Sequence, residues 1–314
     1  ERIGTETYGN AHYPANDAYA LGALVADGTL SQENVISMTS GDKRIVDRVY
    51  KFLSKYSNAS LPKWDNKNHY WYTRLFGKDI VATLHRKYKI PYSVAKGKIP
   101  DVILESDKET QIQFLSGYFE CEMSYSKDKH IVEVTSASHD LVMQVTLLLR
   151  NMGIMCKINN KIVKKYINNY YGNITIISYS TNKFFNTFHF ITEQRKQQAL
   201  DAQDGKRVIR NTFSSLPYPN EVLENYYKQT TKMYPNTSSS RRNYFGKPKL
   251  TGNGTYKIAE GIEKYPLEGS VYNKLKLLVD KNIIYDTVNK IEDGGVQDTY
   301  DVSYDRFCMH EFVL

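Results

Sequence analysis

Residues 20–28, ALGALVADG, form a run of small and aliphatic residues that stops at an acid and a glycine. It reads as an apolar helix. A polar stretch follows, then the β-branched run VISMTS (35–40), which predicts a strand, and then a turn. Next comes IVDRVYKFL, whose apolar Ile45, Val49, Phe52 and Leu53 stand at i, i+4, i+7 and i+8, the signature of an amphipathic helix. The same succession returns further along. LSGYFECEM (115–123) places Gly117 and Glu122 95 residues after Gly22 and Asp27. IVEVTS and LVMQVTLLL then follow at an offset of 96, with Leu141, Val145, Leu148 and Leu149 at the matching positions. KWDNKNHYWYTRLF (63–76), with a turn at Asp65–Asn68, extends the first copy as a hairpin. CKINNKIVKKYINNYYGNITIISYS (156–180) extends the second, and the segment Asn-Asn-Tyr-Tyr-Gly-Asn predicts its turn. Residues 17–200 therefore read as a duplicated α+β unit.

The two acid-terminated segments have a physical logic as a pair. Gly22 and Ala26 are four apart and share a helix face, and the other copy has Ser116 and Gly117 in the same region. Small residues let two helices approach backbone to backbone. If the copies pack side by side, Asp27 and Glu122 meet at the helix C-termini, which already carry partial negative charge. Two carboxylates there repel each other and the dipoles, unless a cation occupies the place. Hard divalent ions such as Mg²⁺ take oxygen ligands and keep waters. Metal held between two carboxylates and a phosphate is a recurring device for phosphodiester cleavage.

Composition adds to this picture. The 314 residues suggest two or three domains, and 41% hydrophobic residues suffice for a core. The formal net charge of +8 suggests a polyanionic partner. Cys121, Cys156 and Cys308 are widely spaced and odd in number, so they read as neither a disulfide framework nor a zinc site. No apolar run reaches the ~18 residues of a membrane span. The polar start, ERIGTETYGNAHYP, is no signal peptide and lacks an initiator Met, so the chain reads as an excised piece of an intracellular protein, from cytoplasm, nucleus or nucleoid. After about residue 200 the composition changes. NEVLENYYKQTTKMY (220–234) predicts a short amphipathic helix, and 235–256 a Ser/Gly/Pro-rich linker carrying Arg241, Arg242, Lys247 and Lys249. From about 270 the pattern is β-rich. The expected divisions are 1–16 lead-in, 17–105 first half, 106–200 second half, 201–269 basic linker and 270–314 tail.

The paired segments resemble the two signature helices of a single-chain LAGLIDADG homing endonuclease. ALGALVADG matches at Gly22, Ala26, Asp27 and Gly28, and LSGYFECEM at Leu115, Gly117, Glu120 and Glu122. KGKIPDVILESDKETQIQF (96–114) is similar to the family's lead-in to its second motif. The resemblance implies a pseudo-twofold, duplicated αββαββα fold, α+β in class, with two antiparallel DNA-binding β-saddles. It implies a monomer acting as a pseudo-dimer on a long, asymmetric double-stranded DNA site, cutting both strands across the minor groove to leave 3′ overhangs. The last acid of each motif, Asp27 and Glu122, would bind Mg²⁺, or Mn²⁺ in vitro. Basic residues near the end of each half would complete catalysis: Lys98, with Lys96 beside it, and Lys196, with Arg195 beside it. Strand residues facing the saddle would contact DNA: Lys63, Asn66, Lys67, Tyr70, Tyr72 and Arg74 in the first half, and Lys157, Asn159, Lys161, Lys164 and Lys165 in the second. Arg241 and Arg242 would reach phosphates beyond the saddle. Glu120 reads either as an acid supporting the metal ligands or as a solvated helix-end charge.

Two departures carry expectations of their own. Glu122 stands where aspartate is usual and reaches one methylene further. Met123 stands where glycine usually makes the exit turn, which predicts a strained second site and unequal nicking of the two strands. The end of the chain resembles the closing strands of an intein splicing domain, at Tyr300, Asp301, Val302, His310 and Phe312. A chain opening at Glu1 and ending at Leu314 lacks the splicing nucleophile and terminal Asn, so as it stands it is not expected to splice, and it reads as an endonuclease cut from an intein or as a free-standing one that kept the tail. Two rivals use the same fold: an RNA-binding intron maturase, and a DNA-binding protein with a degenerate active site. The two retained acids favour the nuclease.

Overall fold

The computed structural model describes residues 6–30, 32–90, 97–162, 170–176, 178–204, 220–233 and 261–267, with isolated positions 269 and 273. The first half runs α1 (Ala15–Asp27), β1 (Val35–Ser40), α2 (Lys43–Leu53), β2 (Lys63–Asp65), β3 (Tyr70–Phe76) and α3 (Lys78–Tyr88). A short α4 (Asp101–Leu104) leads into the second half: α5 (Lys108–Glu122), β4 (Ser124–Ser126), β5 (Ile131–Ser136), α6 (His139–Asn151), β6 (Cys156–Ile162), β7 (Tyr170–Ile176), α7 (Ser178–Thr187) and α8 (Glu193–Asp204). The sheets are antiparallel, ordered β1-β3-β2 and β4-β5-β7-β6. The second half is a complete αββαββα unit. In the first, the opening strand is reduced to a bridge between Thr29 and Ser37. The expected α+β duplication is thus the observed architecture.

Local chemistry sets the helix starts. Asp42, Asp107 and Ser138 cap α2, α5 and α6, accepting from the amides of Arg44, Thr110 and Leu141. The periodic positions then turn inward: Ile45, Val49, Phe52 and Leu53 on α2, and Leu141, Val145, Leu148 and Leu149 on α6, are all buried. α1 and α5 differ from these two. Ala18–Ala26 and Thr110–Glu120 are buried throughout, because each central helix is covered by the other on one side and by its own half on the rest.

The hairpins bear out one expected turn and correct the other. In the first, Asp65 Oδ1 accepts from the amides of Lys67 and Asn68 at 2.9 and 3.1 Å, a local turn that only a short acceptor side chain can make. In the second, Tyr170–Asn173 are strand and not turn: they pair with Ile162, Lys161, Asn160 and Asn159. Gly172 is buried between Ser136 and Asn160, where its lack of a side chain serves the sheet and not a bend. The connection, residues 163–169, lies outside the described residues, as do Lys96, Lys164, Lys165, Arg241, Arg242, Lys247, Lys249 and the tail from 274. The helix expected near 220–234 is α9 (Asn220–Met233), whose buried Tyr226 donates its hydroxyl to the Tyr265 carbonyl at 2.5 Å.

Candidate active site and nucleic-acid interface

The site is built on the contact between α1 and α5. A Cβ on Gly22 would overlap the carbonyl oxygen of Phe114, and a Cβ on Gly117 would overlap the carbonyl oxygen of Tyr19. The two positions are reciprocal: each glycine lets the other helix's backbone in. With the backbones this close, the C-terminal ends of the two helices lie together. Asp27 is the last residue of α1 and exposed; Glu122 is the last of α5 and half-buried. The thiol of Cys121 senses both. Burial pushes it well above its ordinary range, and the charges of Asp27, Glu120 and Glu122 push it further, against Arg195.

The exits from the two helices are alike. Gly28 has φ −77° and ψ 160°, Met123 φ −78° and ψ 148°, and their amides close the helices on Leu24 and Phe119 at 2.8 and 3.1 Å. This is extended backbone that any residue adopts. The strain expected at Met123 is absent, and with it the ground for unequal nicking of the strands.

Glu120 fits neither expectation for it. It is 3% exposed, and its carboxylate accepts from the amides of Ile191 and Thr192, at 2.8 and 3.2 Å, and from the hydroxyls of Thr192 and Tyr19, at 2.5 and 3.2 Å. It therefore anchors the start of α8 to the central pair. Burial and then Glu120 push the Tyr19 phenol far up, so Tyr19 stays a donor. Arg195 lies in the same buried cluster, its Nε donating to the Glu120 carbonyl at 3.1 Å and a terminal nitrogen to Gln198 at 3.0 Å. Sequence alone hid this role because the equivalent position in the first copy is Val25, an ordinary buried aliphatic. The two candidate lysines sit in ion pairs elsewhere: Lys98 with Asp101 at 2.9 Å, and Lys196 with Glu193 at 3.2 Å. Glu193 also takes Arg44 at 2.6 Å, tying α8 to α2.

A divalent ion can be tested against these residues. Among the described residues no group of three or more His, Cys, Asp or Glu side chains forms a cage. Two accessible carboxylates fit Mg²⁺ nonetheless, since that ion keeps several waters and binds through one or two carboxylates plus substrate phosphate oxygens.

The sheets present one packed and one open face. In the first half, register puts Lys63, Asp65, Tyr70, Tyr72, Arg74, Ser37 and Thr39 on one side and the buried Ile36, Met38, Thr73 and Leu75 on the other. Arg74 stacks over the Tyr72 ring at 4.9 Å, with Tyr70 beside it at 6.3 Å. Asn66 and Lys67 are exposed in the turn. In the second half, Lys157 and Asn159 share the open face with Glu133, Thr135, Tyr171, Asn173 and Thr175, while Val132, Val134, Ile174 and Ile176 are buried opposite. Lys161 is in β6, paired with Tyr171. Burial holds the Lys157 ammonium below its usual range. The polar positions on β5 and β7 went unread in the sequence, because period-two alternation in IVEVTS marks a half-buried strand without saying which side meets a ligand.

Residues 109–189 match the family described as LAGLIDADG-like domain, and the first half repeats the order of helices and strands seen over that stretch. The chain is 26% identical over 174 residues to the ribonucleoside-diphosphate reductase NrdEB subunit alpha of Bacillus subtilis (strain 168), covering 49% of this chain and 16% of that protein. It is 24% identical over 206 residues to the replication factor C small subunit of Methanocaldococcus jannaschii, covering 64% and 11%. To elongation factor 2 of Methanopyrus kandleri it is 21% identical over 315 residues, covering 96% and 23%. The chain thus spans less than a quarter of the length of each of these relatives. Among solved structures, it is similar to I-DmoI in complex with DNA and Ca, at 14% identity and TM-score 0.42, over 58% of this chain and 96% of that one. It is also similar to full-length DUF199/WhiA from Thermatoga maritima, at 14% identity and TM-score 0.41, over 91% and 98%. No helix among the described residues is long and apolar enough to cross a membrane.

Proposed function

We propose that the chain is a site-specific endonuclease that cuts double-stranded DNA as a pseudo-symmetric monomer, using Mg²⁺ held by Asp27 and Glu122. One observation carries the reading. The backbones of α1 and α5 touch at Gly22 and Gly117, which sets two carboxylates at adjacent helix ends, where a cation offsets their repulsion. A divalent ion bound there supplies polarisation of a phosphoryl oxygen and of the attacking water. The chain's own part is to fix the two carboxylates through the helix contact, and to hold the duplex through the open sheet faces. Lys98 and Lys196 remain the candidates for stabilising charge on the phosphate, each on release from its ion pair.

The relatives support a second element of the proposal, that the chain is a mobile insert of intein type. A reductase subunit, a replication factor and an elongation factor have no activity in common, and each matches this chain over a small share of its length. An inserted element shared by all three accounts for that pattern, in line with the intein-like residues at Tyr300–Val302, His310 and Phe312. The ion pairs of Lys98 and Lys196 favour one alternative, a DNA-binding protein of this fold that has lost cleavage. A plasmid-library screen separates the two. The nuclease linearises one family of plasmids with Mg²⁺ and none with a chelator; the binder retains plasmids on a filter and cuts none.

A further inference from the structure

The open face of the second sheet holds a single acid among its described residues. Register across β4-β5-β7-β6 places Ser124, Glu133, Thr175 and Lys157 in one row. The next row has Thr135, Asn173 and Asn159. Every residue in these rows except Glu133 is cationic or neutral. One oxygen of Glu133 takes the side-chain amide of Asn173 at 3.0 Å. Because a carboxylate only accepts, that contact fixes the orientation of the Asn173 amide as well.

On a face meant for a polyanion, a carboxylate weakens every phosphate contact near it. It gains only from a donor, and the donors that a duplex displays in its major groove are the amino groups of cytosine and adenine. Each amino group faces an acceptor on the partner base, thymine O4 or guanine O6, and what favours cytosine is that guanine alone sets two neighbouring acceptors, O6 and N7, before a lysine. Lys157 lies two strands from Glu133, about 10 Å at ordinary strand spacing, so the row offers a donor at one end and an acceptor at the other. A guanine–cytosine pair shows the complement: acceptors O6 and N7 on guanine, and the N4 amino donor on cytosine. We propose that Glu133 is a specificity-determining residue that accepts from the N4 amino group of a cytosine, while Lys157 reads the guanine of the same pair. The inference rests on the sheet faces being the DNA-binding surface. It assigns the second half a preference at one base pair; on the first half's open face the carboxylate of Asp65 is taken up by the turn amides of Lys67 and Asn68.

The test is selection from randomised duplexes with a chelator present, so that nothing is cut, followed by titration of the selected duplex. Wild-type protein should select a consensus with one cytosine whose replacement by thymine, with the paired base changed to match, lowers affinity roughly tenfold. E133Q keeps an acceptor for Asn173. It should bind this altered duplex within about twofold of the original, and bind unrelated duplex more tightly than wild type does. K157Q should relax the same base pair and no other. Retention of the wild-type preference at every position by both variants overturns the assignment and leaves Glu133 as a support for Asn173. Failure of the wild-type protein to select any consensus overturns the DNA-reading function itself, a distinct outcome.

Discussion

Replacing Gly117 with alanine sets two effects of opposite sign against each other. Gly117 lies inside α5, where alanine is favoured over glycine by about 1 kcal/mol on helix propensity alone. Propensity therefore predicts a more stable protein. Packing predicts the reverse. The new Cβ would overlap the Tyr19 carbonyl and sit within 3.0 Å of the Ala23 amide nitrogen, both of them backbone atoms that no rotamer change can move. The helices must part. Overpacking costs about 1–3 kcal/mol, and the upper end applies where backbone meets backbone. The net is a loss of roughly 2 kcal/mol, which for a unit of this size lowers the melting temperature by about 4–8 °C. Gly41→Ala is the control: nothing lies within 4 Å of a Cβ there, so its melting temperature should stay within about 1 °C of wild type. Thermal unfolding followed by far-ultraviolet circular dichroism reads both. A G117A protein that melts at or above wild type would refute the close approach of α1 and α5, and with it the convergence of Asp27 and Glu122.

Two further outcomes follow from the same network and its margins. Glu120→Ala leaves two amides and two hydroxyls without their acceptor, so it should cost about 3–5 kcal/mol in urea denaturation, and amide exchange at Ile191 and Thr192 should quicken; unchanged protection there would show that Glu120 does not hold α8. At Asp107, burial raises the carboxyl, but the bonds from Thr110 and from His12 outweigh it and hold the group below its usual range. A depressed carboxylate contributes stability in full above its unfolded value of about 3.9, and that contribution fades as pH falls through the folded value. Asp107→Ala should thus cost about 1 kcal/mol at pH 7 and progressively less below about pH 4; a difference that stays constant down to pH 2 would contradict the cap.

What the sequence reveals of this fold is what repeats in it. Gly22 with Gly117, Asp27 with Glu122, and the apolar positions of α2 with those of α6 are each written twice, and a repeated pattern separates a shared constraint from chance. The features that went unread are those present once. Glu120 has Val25 for its counterpart, so no comparison between copies marks it as the anchor of α8. Gly172 looks like a turn residue, since glycine serves both bends and close strand contacts, and only pairing with Ser136 and Asn160 tells them apart. Met123 departs from the glycine of the other copy, yet the exit needs no left-handed residue, because both chains leave their helix in extended backbone. Lys98 and Lys196 are marked in the sequence only by their place near the end of each half, which says nothing of the acids that hold them.

The central claim is that Asp27 and Glu122 together hold the divalent ion that cuts DNA. Its most direct measurement is cleavage of a plasmid bearing the selected site by wild type, Asp27→Asn and Glu122→Gln, with duplex binding followed in parallel. The account predicts Mg²⁺-dependent linearisation by wild type, no double-strand cutting by either variant, and binding by both within a few-fold of wild type. Robust linearisation by either variant would contradict it.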